Sequence, residues 1–261
     1  MFSALYAIPA WLVLLVAMAL AAALASAGLL AIRRAFPRVD FRANNDVGGI
    51  VLGIMGGLFT VTLAFIIAIV WQEFDGTTQR AAQEVAAASD LWHTARGLPK
   101  PLSKSIRHDI VEYAEILIDK EWRAMRTGGS SDEAENLLTT MYESVARARP
   151  ANGGETNAQS QALQYLGVMH DMRHHRLEDN RSGVKPFEWA ILILSAVLIV
   201  GMSYVVGLPS LRVQVLMVAA LAAMIAAMFT LVFELDFPFR GDVAVPVTGW
   251  TEFLGRNRSN I

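Results

Sequence analysis

Between Gly48 and Trp71 the chain runs for 24 residues without a charged side chain. At about 1.5 Å of rise per residue, roughly 20 helical residues cross a hydrocarbon core of about 30 Å, so the run predicts a membrane-spanning helix. Small residues recur along it at Gly49, Gly53, Gly57, Thr60 and Ala64, every three or four positions. Such a stripe is flat enough for another helix backbone to approach closely, and it is predicted as a helix-packing face. Met55, Phe59, Thr62 and Ile66 lie on a different side. In an oligomer they are candidates to ring a pore that gates by dewetting; otherwise they face lipid or the other spans.

Three more apolar segments extend from about Leu5 to Ile32, from about Pro186 to Val206 and from about Leu211 to Phe233. The first is longer than the apolar region of a signal peptide, has no basic residue ahead of it and ends at Arg33 and Arg34, which predicts a retained span. Gly207, Pro209 and Ser210 predict a tight turn, so the last two spans form an antiparallel hairpin. With 54% hydrophobic and 18% charged residues, the chain is too apolar for an ordinary soluble domain and too charged to lie wholly in a membrane. The predicted fold is all-α: four spans with a helical extramembrane domain between spans 2 and 3. Residues 1–71 hold spans 1 and 2, residues 72–185 the helical domain, residues 186–233 the hairpin and residues 234–261 a C-terminal tail.

The polar segment reads as helical throughout. From Trp71 the pattern continues unbroken through Thr77, Ala81, Val85, Ala88 and Trp92 to Gly97 and Pro99, so the second span is expected to project beyond the bilayer. A second polar helix puts Ile106, Ile110, Tyr113 and Leu117 on one stripe and ends at Gly128 and Gly129. A third opens with Ser130 and Glu133 at capping-box spacing and carries Leu137, Leu138, Met141, Tyr142 and Val145. After a loop from Ala151 to Thr156, a fourth runs through Leu163, Leu166, Met169 and Leu177. Each has one apolar stripe, to be buried against the others or against neighbouring subunits.

The formal net charge of −2 and the lack of a Lys/Arg-rich block argue against nucleic acid as a partner. The absence of cysteine removes disulfides, thiolate metal sites and cysteine nucleophiles. His170 and His174, at i and i+4, are a metal-site candidate without an identified third ligand; the competing reading is a solvated face among Arg173, Arg176, Glu178 and Asp179. No phosphate-binding loop, nucleophile elbow or paired nucleophile and base is present, so neither an enzyme nor a cofactor is expected. The spans carry no internal charge, which weighs against coupled transport. Arg33, Arg34, Arg38 and Arg42 crowd the first loop and favour placing it in the cytoplasm.

The order of landmarks resembles the bestrophin-like DUF4239 membrane protein family. The double Arg after span 1 is followed by Asn45 to Gly49, the glycine-rich span ending in Phe65 and Trp71, then Glu84 with Ala86 to Ala88. Tyr113, Glu121, Trp122, Met125, Arg173 to Leu177, Pro186 and Trp189 come next. Leu235 to Gly241, with Asp236, Pro238, Phe239 and Gly241, resembles the family's Leu-Asp-Arg-Pro-Phe-x-Gly signature, with Phe237 in place of the Arg. Arg123 stands where Pro commonly follows Glu-Trp. The resemblance implies a homo-oligomer, pentameric by analogy, that conducts an unassigned ion along span 2, lies in membrane lipid and keeps its helical domain in the cytoplasm. That last implication opposes the Arg-rich loop. The expected setting is a bacterial inner membrane. Two alternatives stand beside the channel: a non-conducting scaffold or sensor whose helical domain binds a partner, and a metal-dependent membrane enzyme using the His170 cluster.

Overall fold

The computed structural model describes residues 6, 8–43 and 45–260. The chain divides into two compact units, Met1–Gln72 with Gly183–Asp236, and Glu73–Ser182 with Phe237–Ile261. Four helices among the described residues are long and apolar enough to cross a membrane. They are α1 (Ala10–Ala35), α2 (Asn45–Thr94), α7 (Pro186–Val205) and α8 (Leu211–Asp236). The protein is a multi-pass helical membrane protein, with no strand among the described residues.

In the first unit α1 packs along α8, burying Ala25 and Leu29 against Val218 and Ala222. Lipid is as apolar as these side chains, so close packing and polar clips, rather than hydrophobicity, hold such helices together. Leu5, the expected start of span 1, lies outside the described residues, and α1 begins just after Pro9, which needs no N–H there. It runs past Ile32, carrying Arg33 and Arg34 into its last turn, where cations offset the helix dipole. The turn after α7 is fixed by Asn45, whose amide donates to the Gly207 carbonyl at 2.7 Å and accepts from its N–H at 2.9 Å. A Cβ on Gly207 would sit 2.8 Å from the Phe41 carbonyl carbon, so only glycine fits.

In the second unit α2 supplies Ala81, Ala88, Leu91 and Trp92 to a core shared with α3 (Lys100–Ile116), α4 (Trp122–Met125), α5 (Asp132–Ala146), α6 (Gly153–Asp179) and α9 (Thr248–Asn257). The expected stripe of Ile106, Ile110, Tyr113 and Leu117 is fully buried. Between α3 and α4 the helix widens into a π-helical turn, Leu117–Glu121. The extra residue turns Glu121, Trp122 and Met125 inward behind Tyr113 and Leu117. Gly128, at φ 82°, ends α4, and the Gly129 N–H reaches the Ala124 carbonyl at 3.0 Å.

Four expectations need correction. The cap of α5 is Ser131, not Ser130: its hydroxyl accepts from the Ala134 N–H at 3.4 Å. α6 starts at Gly153, inside the expected loop, because the Asn152 side chain accepts from the Glu155 N–H at 2.9 Å while the Glu155 carboxylate accepts from the Ala151 N–H at 2.8 Å. Tyr142 is exposed rather than buried with Leu138 and Met141. Residues 237–261 are not a detached tail but part of the second unit, where Phe239, Val245, Trp250 and Phe253 join the core.

Candidate functional site

Within the membrane-spanning stretch of α2, the residues turned toward the unit's own helices are Phe59, Leu63 and Val70, all buried. Phe59 lies 6.3 Å from the Phe229 ring, which in turn meets Trp189 at 6.0 Å, so it belongs to a three-ring cluster inside one chain. Met55 and Ile66 flank it half-buried; Thr62 is exposed and donates to the Leu58 carbonyl at 2.9 Å. The small-residue stripe is open: Gly49, Gly53, Gly57, Thr60 and Ala64 are exposed, and a Cβ on any of the three glycines would meet nothing within 4 Å. A third face is bulky and exposed, with Ile54 at 60%, Leu58 at 67% and Phe65 at 66%. Of the four residues expected to share an axial face, the structure commits Phe59 to its own chain.

The second unit holds a buried ionic cluster. Glu84 from α2, Glu121 from the π-helical turn, and Arg173 and Arg176 from α6 are all buried. Arg176 grips Glu84 through Nε at 2.7 Å and Nη2 at 3.1 Å, and its Nη2 also reaches Glu121 at 2.8 Å. Arg173 donates to both Glu121 oxygens, at 3.2 and 2.7 Å, and to the Ser131 carbonyl at 3.0 Å, and pairs with Glu135. The Tyr113 hydroxyl donates to Glu84 at 2.8 Å, and the Arg176 guanidinium stands 4.5 Å from the Trp122 ring centroid. Burial favours a neutral Glu121, but the charges of Arg176 and Arg173 and their hydrogen bonds outweigh it and hold the carboxyl below its ordinary range. Burial, and then Glu84, push the Tyr113 hydroxyl well above its ordinary value, keeping it a neutral donor. Paired at hydrogen-bonding distance, the two carboxylates and two guanidinium groups tie α2, the π-helical turn and α6 together.

Arg173 and Arg176 were expected on a solvated face. They continue the buried row of Leu166 and Met169 at the spacing of one helix face, which is the sequence signal that pointed inward.

A bestrophin-like domain profile matches residues 19–249. The chain belongs to the bestrophin-like family. No curated protein sequence matches it. A crystal structure of a membrane protein superposes with a TM-score of 0.68 over 95% of this chain and 96% of the other, at 13% sequence identity, so the two share a fold.

The bestrophin-like landmarks occupy structural positions. Glu84, Tyr113, Glu121, Trp122, Met125, Arg173 and Arg176, scattered over three stretches of sequence, meet in the one ionic cluster. In the terminal signature, Asp236 accepts from the Val184 N–H at 2.5 Å, and the Pro238 carbonyl accepts from the Val245 N–H at 2.7 Å. Phe239 meets Trp122 edge-on at 5.7 Å, and Gly241 turns the chain at φ 73°. Phe237 offers its ring to Arg240, whose guanidinium lies 4.1 Å from the centroid. His170 and His174 are exposed, near Glu135 at 3.9 Å and Glu178 at 3.2 Å respectively. Among the described residues no group of three His, Asp or Glu side chains is placed to hold a metal ion.

Proposed function

We propose that the protein is an oligomeric ion channel of the bestrophin-like family, with α2 innermost around the symmetry axis, in a bacterial inner membrane. The observation that carries this reading is the surface of α2: an uncharged membrane helix that covers one of its faces with its own chain and leaves two apolar faces of opposite character open. In a cyclic ring each subunit presents one face to the neighbour on its left and a different one to the neighbour on its right. A flat stripe at Gly49, Gly53 and Thr60 on one side and bulky Val51, Leu58 and Phe65 on the other are complementary surfaces of that kind.

The same geometry revises the pore lining. With Phe59, Leu63 and Val70 packed behind α2, the axis lies about half a turn away, at 100° per residue. The residues there are Ile50, Ile54, Gly57, Val61, Ala64 and Ala68, in place of Met55, Phe59, Thr62 and Ile66. Ile54 and Val61 are the bulkiest exposed side chains near the middle of this row and form its narrow point, a dewetting gate in this reading. The family's channel type is the second support; the number of subunits, five by analogy, and the permeant ion are carried by analogy alone.

The test is current through planar bilayers containing the purified oligomer. Ile54→Ala and Val61→Ala are expected to raise unitary conductance or open probability, whereas Phe59→Ala lowers stability and leaves conductance near wild type. Silent membranes holding an intact oligomer overturn the channel reading and leave the scaffold. Currents altered by Phe59→Ala but not by Ile54→Ala return the axis to the other face.

A further inference from the structure

The loop between α1 and α2 and the turn between α7 and α8 enclose a cavity of about 330 Å³ lined by Arg33, Phe36, Asp40, Arg42, Leu211 and Gln214, among others. Both arginines are anchored to neutral groups. Arg33 Nη2 donates to Gln214 Oε1 at 2.8 Å, and its guanidinium lies 3.8 Å from the Phe41 ring centroid. Arg42 Nη2 donates to the Leu208 and Pro209 carbonyls at 3.3 and 3.1 Å. The Asp40 carboxylate accepts from the Arg42 backbone N–H at 3.0 Å, so it caps the loop rather than a guanidinium. The cavity is therefore a held pair of cations with exposed Phe36, Val39 and Leu211 around it, at the end of two membrane spans.

A second cavity, about 470 Å³, runs between α1, α7 and α8 and is lined by small and apolar residues including Leu24, Ala25, Ala196, Gly201, Ala222 and Phe229. Both cavities draw on the same part of the fold. Ala25 and Arg33 are separated by about 12 Å along α1, and the α7 lining of the groove extends to Tyr204, three residues before Gly207 of the basic cavity. An apolar groove and a pair of guanidinium groups farther along the same helix, at the membrane boundary, match one kind of molecule: an acyl chain joined to a phosphate.

We propose that this site binds an anionic phospholipid, its phosphate between Arg33 and Arg42 and one acyl chain in the α1, α7 and α8 groove. The charge in the cavity selects this occupant over a second copy of the chain. In the segments at this end of the spans, residues 33–47 and 204–215, the carboxylates are Asp40, already held by the Arg42 backbone N–H, and Asp46, so a second copy would bring little negative charge to the guanidinium pair. Bidentate recognition of phosphate suits arginine, and each basic residue near the interface strengthens binding of an acidic lipid by about fivefold.

Native mass spectrometry of the full-length protein, exchanged into phosphatidylglycerol or phosphatidylcholine at equal loading, tests the site. The wild type should retain phosphatidylglycerol preferentially. Arg42→Gln should cut that retention by about fivefold and leave retention of phosphatidylcholine unchanged. Gly201→Leu, where a Cβ meets nothing within 4 Å, should fill the groove and reduce retention of both lipids. Equal retention of the two lipids by the wild type, or an Arg42→Gln protein whose preference for phosphatidylglycerol is undiminished, overturns the proposal. Displacement of the lipid by millimolar inorganic phosphate reassigns the cavity to a soluble anion. Loss of oligomer mass in Gly201→Leu with lipid retention unchanged reassigns the groove to a neighbouring copy.

Discussion

The two parts of α2 obey different rules. From Glu73 to Thr94 its inward row of Thr77, Ala81, Glu84, Ala88 and Leu91 is buried turn after turn against its own unit. From Asn45 to Gln72 only Gly48, Phe59, Leu63 and Val70 are buried, and the glycines between them have open space where a side chain would be. In water, unburied apolar surface on that scale would be a liability; in lipid it costs nothing until a partner offers better packing. The polar half is complete within one chain, whereas the membrane half is a surface made for lipid and for other helices. Burial in a single chain marks structural residues in the second unit, whereas in the first the residues of the proposed ring lie outside the core.

That contrast is broken most severely in the ionic cluster. Arg176→Ala leaves Glu84 without its bidentate partner and removes one of the two cations on Glu121, in a fully buried site. The expected loss is about 3–5 kcal/mol, the usual cost of stripping one member from a buried pair. Arg176→Lys keeps the charge but not the fork and should fall between the two. Trp122 lies against Arg176, and with Trp11, Trp71 and Trp189 replaced by Phe, fluorescence during urea unfolding reads it together with Trp92 and Trp250 of the same unit. A loss under about 1 kcal/mol would show that the cluster is not what holds these helices.

Acid should separate the same two regions. Glu121 is held below its ordinary range in the folded chain, so the unfolded state takes up the proton first as pH falls. Its stabilisation is full above about pH 4.3, the unfolded value, and is lost as pH drops through the lowered folded value. The Trp122 signal should therefore fail below pH 4. The contact of α1 with α8 at Ala25, Leu29, Val218 and Ala222, with the Arg33–Gln214 hydrogen bond beside it, involves no carboxylate and should persist. Loss of both signals together at the same pH would remove the distinction.

A smaller effect is expected at Gly241. Its φ of 73° disfavours any side chain, so Gly241→Ala should cost about 1–2 kcal/mol, read in the same urea experiment.

What the sequence disclosed follows from how each signal arises. Spans are read from long uncharged runs, and all four are present because composition alone decides whether a helix tolerates lipid. Beyond the landmarks shared with a family, the ionic cluster is foreshadowed only by the inward row that Arg173 and Arg176 share with Leu166 and Met169. Charged residues are normally exposed, and nothing local to Arg173 announces a carboxylate 52 positions away. The π-helical turn at Leu117–Glu121 leaves no local mark either, yet it is what turns Glu121 inward. Between a pore, lipid and the other spans the sequence leaves Phe59 open for a related reason: a single helix shows that it has faces but not which one its own chain takes, and Phe229 and Trp189 lie more than a hundred residues away. The small-residue stripe is read from its spacing alone, and its open surface leaves its part in packing a proposal.

Gly53→Ala gives the smallest expected change and the sharpest reading of that stripe. In an isolated chain the added methyl meets nothing within 4 Å, and replacing glycine with alanine inside a helix stabilises it by about 1 kcal/mol. Considered as a monomer, the variant should be slightly more stable than the wild type. If the stripe seats a neighbouring α2, the same methyl stands in the path of the approaching helix and the oligomer loosens while the subunit tightens. Mass measured in detergent across a dilution series should then show the Gly53→Ala oligomer dissociating at several-fold higher protein concentration, with the Trp122 unfolding midpoint no lower than wild type. Ile66→Ala, on the half-buried side, should not move the dissociation point. An oligomer indifferent to Gly53→Ala would mean that the open stripe faces lipid, and the ring around α2 would lose the surface that closes it.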